Sequence, residues 1–266
     1  LQARARHGCG PFPPAGLIAP MSRWPWPPLL VHRCGGALAP ENTLAGLRIA
    51  ARLGCRAVEF DVMLSRDRVP VLIHDETLMR TAGIVGAVPE LNAEQLLATD
   101  VGRHFHPAFA GETIPSLSAA LAVCGQLGLA ANLEIKPAAG TEAETGRVVG
   151  ELLHALPAGR CPDVLLSSFS IEALGTAALC VPDLPRALLV DTFTPASLVE
   201  AQQLGCESLN VGLKGLEAAH VQAIHSAGLR MMVYTVNTRE VAAQLASWGV
   251  GGVFTDRPDL LQVHPA

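Results

Sequence analysis

The sequence predicts a (β/α)₈ barrel, and two regularities along the chain indicate this fold. A helical run that ends in glycine precedes a short apolar strand five times, beginning with Arg52-Leu-Gly54 before the strand 57–62. Glycine just past the last turn is a common way for a helix to end. Near-continuous apolar strands that alternate with helices are typical of a parallel sheet covered by helices. The lack of a GxGxxG fingerprint disfavours the alternative, an open doubly wound sheet.

Nine segments have the pattern of such strands, one more than a closed barrel of this kind contains. They are 29–32, 57–62, 69–74, 131–135, 164–168, 187–190, 208–211, 231–236 and 252–255. Because only the short turn 65–68 joins 57–62 to 69–74, we expect one of these two to be a hairpin excursion. The stretch 75–115 interrupts the repeat and is rich in Gly, Pro and Thr, so we expect it to be a functional cap. The predicted organisation is a disordered extension, 1–20, followed by a single barrel domain, 21–266, that starts at Met21 and contains this cap.

The composition narrows the class of protein. Half of the 266 residues are hydrophobic and 16% are charged, which indicates an ordered chain with a large core. The net charge of −5, without a run of Lys or Arg, argues against a nucleic-acid partner. No apolar stretch reaches the ~18 residues of a membrane span, and no signal-peptide pattern is evident. Seven cysteines without metal-ligand spacing are interpreted as reduced thiols of a cytoplasmic protein.

Two strands carry charged residues at alternate positions inside otherwise apolar runs. Glu59 and Asp61 share one face of the strand 57–62, because side chains alternate faces with a period of two. Glu134 and Lys136 share a face of the run 131–136 in the same way. A buried carboxylate without a partner is very costly, so this arrangement requires a cation or a proton. The pattern therefore indicates a functional site.

The strand ends collect further polar residues. His32 and Arg33 end the first strand, and His74 ends the third. Barrel enzymes place catalytic groups at the carboxyl ends of strands, so these side chains are expected at one rim together with the carboxylates. Three carboxylates without thiolates suit Mg²⁺ or Ca²⁺ better than Zn²⁺. Two histidines on opposite sides would supply a general acid and a general base for displacement at phosphorus.

The charge balance of this rim indicates the substrate. Three carboxylates, one divalent cation, Arg33 and Lys136 sum to about +1, which suits a phosphodiester monoanion. The sequence does not decide which histidine is the acid and which the base, although we favour His32 as the proton acceptor and His74 as the donor.

The motifs occur in the order found in the glycerophosphodiester phosphodiesterases, and the chain resembles that family from about Met21 onwards. The matching segments are His32-Arg-Cys-Gly-Gly, Ala39-Pro-Glu-Asn-Thr-Leu44, Glu59-Phe-Asp61, His74-Asp75-x-x-Leu-x-Arg-Thr81, Glu134-Ile-Lys136, Ser168-Phe169 and Thr255-Asp256. The likeness is greatest to the cytoplasmic bacterial enzymes encoded with glycerol-3-phosphate uptake systems.

The resemblance implies roles for seven residues and an activity. Glu59, Asp61 and Glu134 would bind a divalent cation, Mg²⁺ or Ca²⁺. His32 and His74 would be the acid–base pair, while Arg33 and Lys136 would hold the phosphate. The implied reaction is hydrolysis of sn-glycero-3-phosphodiesters, such as glycerophosphocholine or glycerophosphoethanolamine, to an alcohol and sn-glycerol 3-phosphate.

Two departures from the family pattern bear on the site. Cys34 stands where the family usually has Gly, and a positive φ there would cost about 1 kcal/mol in strain. The segment Thr81-Ala-Gly-Ile84 replaces a common Thr-x-Asn-Gly in the cap. Asn42 is expected to cap a helix over 43–53.

Several alternatives stay open. Asp75 is expected to orient the His74 loop, and His104 and His106 are interpreted as surface residues. Phe169 and Tyr234 would either line the alcohol pocket or pack in the core. A lipid-acting, lyase-like relative that releases a cyclic phosphate is the alternative enzyme, and an exposed hydrophobic loop would favour it. A non-catalytic glycerophosphodiester-binding protein is the alternative from another class, and the oligomeric state is open, with a homodimer among the options.

Overall fold

The fold is a closed barrel of eight parallel strands, as the sequence predicted. The computed structural model describes residues 26–157 and 162–261. The strands are β1 (Leu29–Val31), β2 (Ala57–Leu64), β3 (Pro70–Leu72), β4 (Ala130–Ile135), β5 (Val164–Ser168), β6 (Arg186–Val190), β7 (Ser208–Gly212), β8 (Arg230–Tyr234) and β9 (Gly252–Thr255). The sheet closes because β1 pairs in parallel with both β2 and β9.

Helices alternate with the barrel strands and cover them. They are α1 (Leu44–Arg52), α2 (Met79–Ala82), α3 (Ala93–Leu97), α4 (Gly102–Phe105), α5 (Leu117–Leu127), α6 (Glu142–Ala155), α7 (Ile171–Cys180), α8 (Pro195–Gln203), α9 (Ala218–Ser226), α10 (Arg239–Trp248) and α11 (Pro258–Leu261). Five of the longer helices begin at a Ser or Thr whose hydroxyl accepts a hydrogen bond from a backbone amide of the first turn: Thr43, Ser116, Ser170, Thr194 and Thr238. These caps set where each helix starts after the loop at a strand end.

β3 is the extra strand, and it forms the hairpin excursion that the sequence could not assign to one of two segments. β3 runs antiparallel to β2, with Val62 opposite Leu72, and it does not join the barrel. His74 does end the third strand, as predicted, but that strand is not part of the barrel. His74 therefore reaches the rim from the end of the β2–β3 hairpin.

The barrel interior is apolar at one end and polar at the other. Leu30, Leu165, Met232 and Phe254 belong to a buried cluster made of strand residues and Trp26, without helix residues. A larger cluster joins the other strand faces to the helices. Ala57, Glu59 and Asp61 are at every second position of β2 and therefore share one face of the strand. Because Ala57 belongs to the interior cluster, Glu59 and Asp61 also point into the barrel, above its apolar end. The polar groups consequently lie toward the carboxyl ends of the strands.

The stretch 75–115 forms a compact insertion of short helices. It contains α2, α3, α4 and two 3₁₀ turns, Val88–Glu90 and Pro107–Phe109. Its buried side chains pack on the β2–β3 hairpin as a separate hydrophobic cluster: Met63, Val71, Ile73, Leu78, Val88, Leu96, Val101, Ile114 and Ala138. This second core ties the insertion to the barrel next to His74.

Three further predictions concern the N-terminal extension, membrane-spanning helices and the cysteines. The predicted extension 1–20 lies outside the described residues. Within the described residues, no helix combines the length and apolar character that a membrane crossing requires. Cys34, Cys55 and Cys206 are buried free thiols.

Candidate active site

The structure brings all seven predicted site residues to one cleft at the carboxyl ends of β1, β2 and β4. The first of the three carboxylates, Glu59, lies opposite Asn132, and Asp61 lies opposite Glu134 in the β2–β4 register. One carboxylate oxygen from each of the three acids lies within 4.8 Å of the others. The three acids are at most 9% exposed. The cleft has a volume of about 420 Å³, and the other four predicted residues, His32, Arg33, His74 and Lys136, also line it.

Two of the three carboxylates, Glu59 and Asp61, are held through one oxygen, which leaves the other available. Glu59 Oε2 accepts a hydrogen bond from the backbone N–H of Arg33 at 2.9 Å, and Asp61 Oδ2 accepts one from Asn42 Nδ2 at 2.8 Å. Among the described residues, Glu59 Oε1 and Glu134 Oε1 are buried without a hydrogen-bond partner. Unpartnered buried carboxylate oxygens are costly, so a ligand that attracts negative charge is expected at this point.

The electrostatics of the triad support the same conclusion. Burial, together with the nearby charges of Asp61 and Glu134, raises the pKa of Glu59 well above its usual range. Burial and the charge of Asp61 raise the pKa of Glu134. Three acids this close cannot all ionise without a compensating cation. Since the available donors are all carboxylate oxygens, the residues fit a hard divalent cation such as Mg²⁺ or Ca²⁺.

His32 is oriented by residues at the end of β9. Its Nδ1 lies 2.7 Å from Asp256 Oδ1, and its Nε2 lies 3.9 Å from Glu59 Oε2. Asn237 holds Asp256, donating from Nδ2 to the carboxylate at 3.1 Å and accepting the Asp256 N–H at 2.8 Å. Although burial acts to raise the pKa of Asp256, its hydrogen bond and attraction to His32 lower it on balance. Sequence reasoning recognised Asp256 only as part of a motif and missed this role.

His74 lies between a cation and a carboxylate. Lys136 Nζ donates to His74 Nε2 at 2.8 Å, and Asp75 Oδ1 lies 2.6 Å from His74 Nδ1. A lysine ammonium is only a donor, so His74 Nε2 is the acceptor and the ring is neutral, with its proton on Nδ1. Burial lowers the pKa of His74, and the charges of Arg33 and Lys136 act in the same direction. Asp75 contacts His74 as expected of a residue that orients its loop.

Arg80 links Asp75 to Arg33 through Glu41. Its Nε donates to Asp75 Oδ2 at 2.6 Å, and its terminal nitrogens donate to both oxygens of Glu41 at 2.6 and 2.7 Å. Glu41 in turn accepts from Arg33 NH1 at 3.2 Å. The hydrogen bond from Arg80 holds the pKa of Asp75 well below its usual range. Sequence reasoning did not single out this chain of contacts, whose only sequence signal was the presence of Arg80 and Glu41 in recognised motifs.

The expected role of Asn42 as a helix cap is wrong. Thr43 caps α1 by accepting the N–H of Gly46, while Asn42 has a φ of 56° and lies one residue earlier. Its amide hydrogen-bonds both the side chain and the backbone N–H of Asp61. The helix starts one residue later than predicted, since the threonine hydroxyl can cap and the asparagine amide is already bonded to the carboxylate.

A second cleft of about 620 Å³ adjoins the first and shares His32 and Arg33 with it. It lies between the loop after β1 and the insertion, and Arg80, His104 and Phe105 form part of its wall. His104 and His106 are exposed, as predicted.

The aromatic residues whose role was left open belong to the first cleft. Phe169 and Tyr234 line it with their ring centroids 6.0 Å apart, and Phe169 is 43% exposed. They therefore form a wall of the site, while Tyr234 also packs against the interior residue Phe254.

Both departures from the family pattern lie close to the site. Cys34 is fully buried and has a φ of 72°, so the condition for backbone strain is met. Its N–H donates to the backbone oxygen of Glu59 at 2.7 Å. The other departure ends at Ile84, and Ile84 and the following residue, Val85, are 47% and 91% exposed in the loop after α2. The insertion therefore carries an exposed apolar loop.

Comparison of this chain with known proteins identifies one protein family. Residues 32–260 match the Glycerophosphoryl diester phosphodiesterase family. The glycerophosphodiester phosphodiesterase of Caldanaerobacter subterraneus subsp. tengcongensis is 30% identical over 234 residues, covering 88% of this chain and 95% of that protein. A phosphodiesterase of Oleispira antarctica, solved in complex with the product sn-glycerol-3-phosphate, has a TM-score of 0.85 at 34% identity, covering 89% of this chain and 95% of that one.

A second solved structure agrees. The glycerophosphodiester phosphodiesterase from Agrobacterium tumefaciens has a TM-score of 0.68 at 27% identity, covering 88% of this chain and 97% of that one. The family match spans most of the chain, and both the barrel and the order of the motifs along it agree with that match. This chain therefore belongs to the glycerophosphoryl diester phosphodiesterase family, as its motifs predicted.

Proposed function

We propose that the protein hydrolyses sn-glycero-3-phosphodiesters, such as glycerophosphocholine and glycerophosphoethanolamine, to an alcohol and sn-glycerol 3-phosphate. The observation that carries the proposal is the buried triad of Glu59, Asp61 and Glu134 in a cleft that also holds two histidines and two cations. The product-bound Oleispira antarctica relative supports the substrate class.

The triad would hold a divalent cation, Mg²⁺ or Ca²⁺. When bound, the cation supplies Lewis-acid stabilisation of charge on a phosphate oxygen and lowers the pKa of a coordinated hydroxyl. Arg33 and Lys136 would bind the remaining phosphate oxygens. Lys136 Nζ lies 3.8 Å from Asp61 and 3.7 Å from Glu134, and Arg33 Nε lies 3.8 Å from Asp61, so neither is locked into a short ion pair with the triad.

The environments of the two histidines support opposite proton roles. His74 is neutral with its Nε2 lone pair facing Lys136, so it would accept the proton of the attacking hydroxyl once the ammonium turns to the phosphate. His32 has its Nδ1 2.7 Å from Asp256 and its Nε2 on the Glu59 side of the cleft, and it would donate a proton to the leaving oxygen. This assignment reverses the one favoured from the sequence. Each group would contribute roughly 10²–10⁴ in rate.

Phosphorus NMR of glycerophosphocholine hydrolysis tests the proposal. We expect sn-glycerol 3-phosphate with Mg²⁺ or Ca²⁺, and no turnover after chelation or in the Glu59→Ala variant. Glu94→Ala, at an exposed position of α3, serves as the matched control and should hydrolyse normally. Full activity in both the chelated enzyme and Glu59→Ala would overturn the proposal.

The exposed loop at Ile84 and Val85 favours a second candidate, a lyase-like action on lipid phosphodiesters. Such a loop could contact an amphiphilic substrate, and the product would then be a cyclic phosphate. The same NMR experiment with lysophosphatidylcholine distinguishes the two, because a cyclic phosphate and a monoester have different shifts. We favour hydrolysis, since the alternative rests on one loop alone.

We also propose that the chain works in the cytoplasm as a single domain, 21–266. The reduced buried thiols Cys34, Cys55 and Cys206 support this location. A variant that starts at Met21 should retain the activity of the full chain, and light scattering will show whether the protein is a homodimer. Loss of activity in the shortened chain would contradict the domain assignment.

A further inference from the structure

The second cleft has the position expected of a subsite for the leaving alcohol. Two clefts meet at His32 and Arg33, and among residues 26–157 and 162–261 these two alone line both. A phosphodiester carries two ester arms on one phosphorus. A substrate whose phosphate lies beside Arg33 therefore has one cleft available for each arm.

The first cleft has the chemistry for the glycerol arm. Besides the carboxylate triad it is lined by Asn132, which is 1% exposed, and by Asp191. Asn132 donates to Ser167 Oγ at 2.8 Å, while its Oδ1 is buried without a hydrogen-bond partner among the described residues. An acceptor of this kind suits a hydroxyl donor. The vicinal hydroxyls of glycerol would satisfy it.

In-line displacement then assigns the other arm. The attacking and leaving oxygens lie on opposite sides of the phosphorus in the transition state. If the attacking oxygen is on the His74 side of the first cleft, the leaving oxygen faces the opposite side. His32 lines both clefts, so as the proposed proton donor it would protonate an alcohol that departs toward the second cleft.

The walls of the second cleft carry charges that are already paired. Glu41 pairs with Arg33 and Arg80, and Asp256 pairs with His32. The rest of the described lining consists of apolar side chains, the exposed rings of Phe105 and His104, and the hydroxyl of Thr81, whose oxygen is buried without a hydrogen-bond partner in the described structure. Such a surface accommodates an alcohol by its volume and its hydroxyl groups, and discriminates little by its charge.

We propose that this second cleft binds the alcohol arm of the glycerophosphodiester and accepts uncharged and cationic arms up to the size of inositol. The inference rests on the proposed function. It assigns substrate selection to the insertion and to the loop after β1, and it leaves the chemistry to the first cleft.

An arm-length comparison tests the inference. Ala37 is exposed on the wall of the second cleft, so Ala37→Trp would fill part of the cleft without entering the core. The two substrates are glycerophosphoinositol and the methyl ester of glycerol 3-phosphate. Phosphorus NMR in the presence of Mg²⁺ measures the hydrolysis of each. We expect Ala37→Trp to lower kcat/KM at least about tenfold more for the inositol arm than for the methyl arm.

Controls separate this result from a general loss. Ala219→Trp, exposed on α9 and outside both clefts, should leave both substrates unaffected. Phe105→Ala enlarges the cleft and should raise KM for the inositol arm only. Wild-type kcat/KM for glycerophosphocholine and glycerophosphoinositol should agree within about tenfold, because the carboxylates and guanidinium groups of the described wall are paired with each other or with His32.

The outcomes distinguish two failures. Equal losses for both arms in Ala37→Trp, or no loss for either, would overturn the subsite while leaving the proposed function in place. Absence of wild-type turnover for both substrates would overturn the proposed function and the subsite with it.

Discussion

The two histidines of the site are held by different parts of the molecule, although each has a carboxylate on Nδ1. His32 is oriented by Asp256 at the end of the barrel strand β9, and Asn237 fixes that carboxylate with two hydrogen bonds. His74 is oriented by Asp75, next to it in the chain, and this carboxylate depends on Arg80 from the insertion. His32 is thus oriented by residues at the ends of barrel strands, which we call the barrel side of the site. His74 is oriented through a partly exposed ion pair with the insertion, which we call the insertion side.

The contrast at Nε2 explains why two similar groups can have opposite roles. His32 Nε2 faces Glu59 at 3.9 Å, whereas His74 Nε2 accepts from Lys136 at 2.8 Å. A nearby ammonium favours the neutral ring of His74, which suits it to accept a proton. The proposed assignment of base and acid rests on this difference between the two environments.

Removing each histidine gives the largest expected effect. His32→Ala and His74→Ala should each lower kcat with glycerophosphocholine by roughly 10²–10⁴-fold. With the p-nitrophenyl ester of glycerol 3-phosphate, whose leaving group needs little protonation, His32→Ala should recover much of its activity and His74→Ala should not. Recovery in His74→Ala alone, measured by release of p-nitrophenol, would reverse the assignment of acid and base.

Removing the charge of each orienting carboxylate should have the next largest effect. Loss of one charge-assisted hydrogen bond costs roughly 1.5–3 kcal/mol, or about 10- to 100-fold in kcat. We expect Asp256→Asn to fall within this range and Asp75→Asn to be similar, as measured by steady-state kinetics on glycerophosphocholine. A normal kcat in Asp256→Asn would show that β9 does not orient the acid.

Arg80 tests whether the insertion side is the weaker support. Partly exposed ion pairs contribute about 1 kcal/mol or less, so Arg80→Met should reduce kcat/KM about fivefold at most. Arg103→Met, whose side chain pairs with Asp100 in the same insertion, should leave activity unchanged. A loss as large as that of Asp256→Asn would remove the distinction between the two sides.

The effect of Arg80→Met on the free energy of unfolding should depend on pH. Because Arg80 depresses the folded-state pKa of Asp75, the ion pair stabilises the fold above the unfolded value of about 3.9 and loses this contribution as the pH falls toward the folded value. The difference in free energy of unfolding between the wild type and Arg80→Met should therefore be about 1 kcal/mol at pH 7 and shrink below about pH 3.9. Urea unfolding at pH 7, 4 and 3 measures it, and a difference that grows with acid would contradict the account.

The smallest effect is expected at Cys34 on the barrel side. Cys34→Gly relieves a strain of about 1 kcal/mol at φ 72° but loses a buried side chain, so the free energy of unfolding should change by less than about 1 kcal/mol. Cys34→Val should destabilise more, because a β-branched residue is worse at positive φ and Gly46 lies against the Cys34 side chain. If Cys34→Gly and Cys34→Val have equal free energies of unfolding in urea, the backbone at residue 34 is not strained.

The outcomes of individual predictions show where sequence reasoning was sufficient. The strands around Glu59 and Glu134 were identified correctly, since apolar runs and helix-ending glycines are local features. The i, i+2 spacing of Glu59 and Asp61 put both on the barrel interior, because alternation along a strand is also local. The family was identified from motifs in chain order and the profile match confirmed it.

Contacts between residues distant in the chain were the part that sequence reasoning missed. Asp256 lies 224 positions from His32, and Arg80 lies 39 positions from Glu41, so no spacing rule relates them. Asn42 was misassigned because two side chains could cap α1, and the preference for Asp61 depends on how β2 lies beside the loop after β1. Only closure of the barrel makes these residues neighbours.

The sequence by itself determined the alternation of strands and helices, the acids that share a strand face and the family, because each follows from the order of residues along the chain. The tertiary structure decided that β3 leaves the barrel, that the insertion reaches Glu41 and Asp75 through Arg80, and that two clefts meet at His32 and Arg33. These facts depend on how separate segments pack against each other. Packing depends on the shape and burial of whole surfaces, which the local order of residues does not specify.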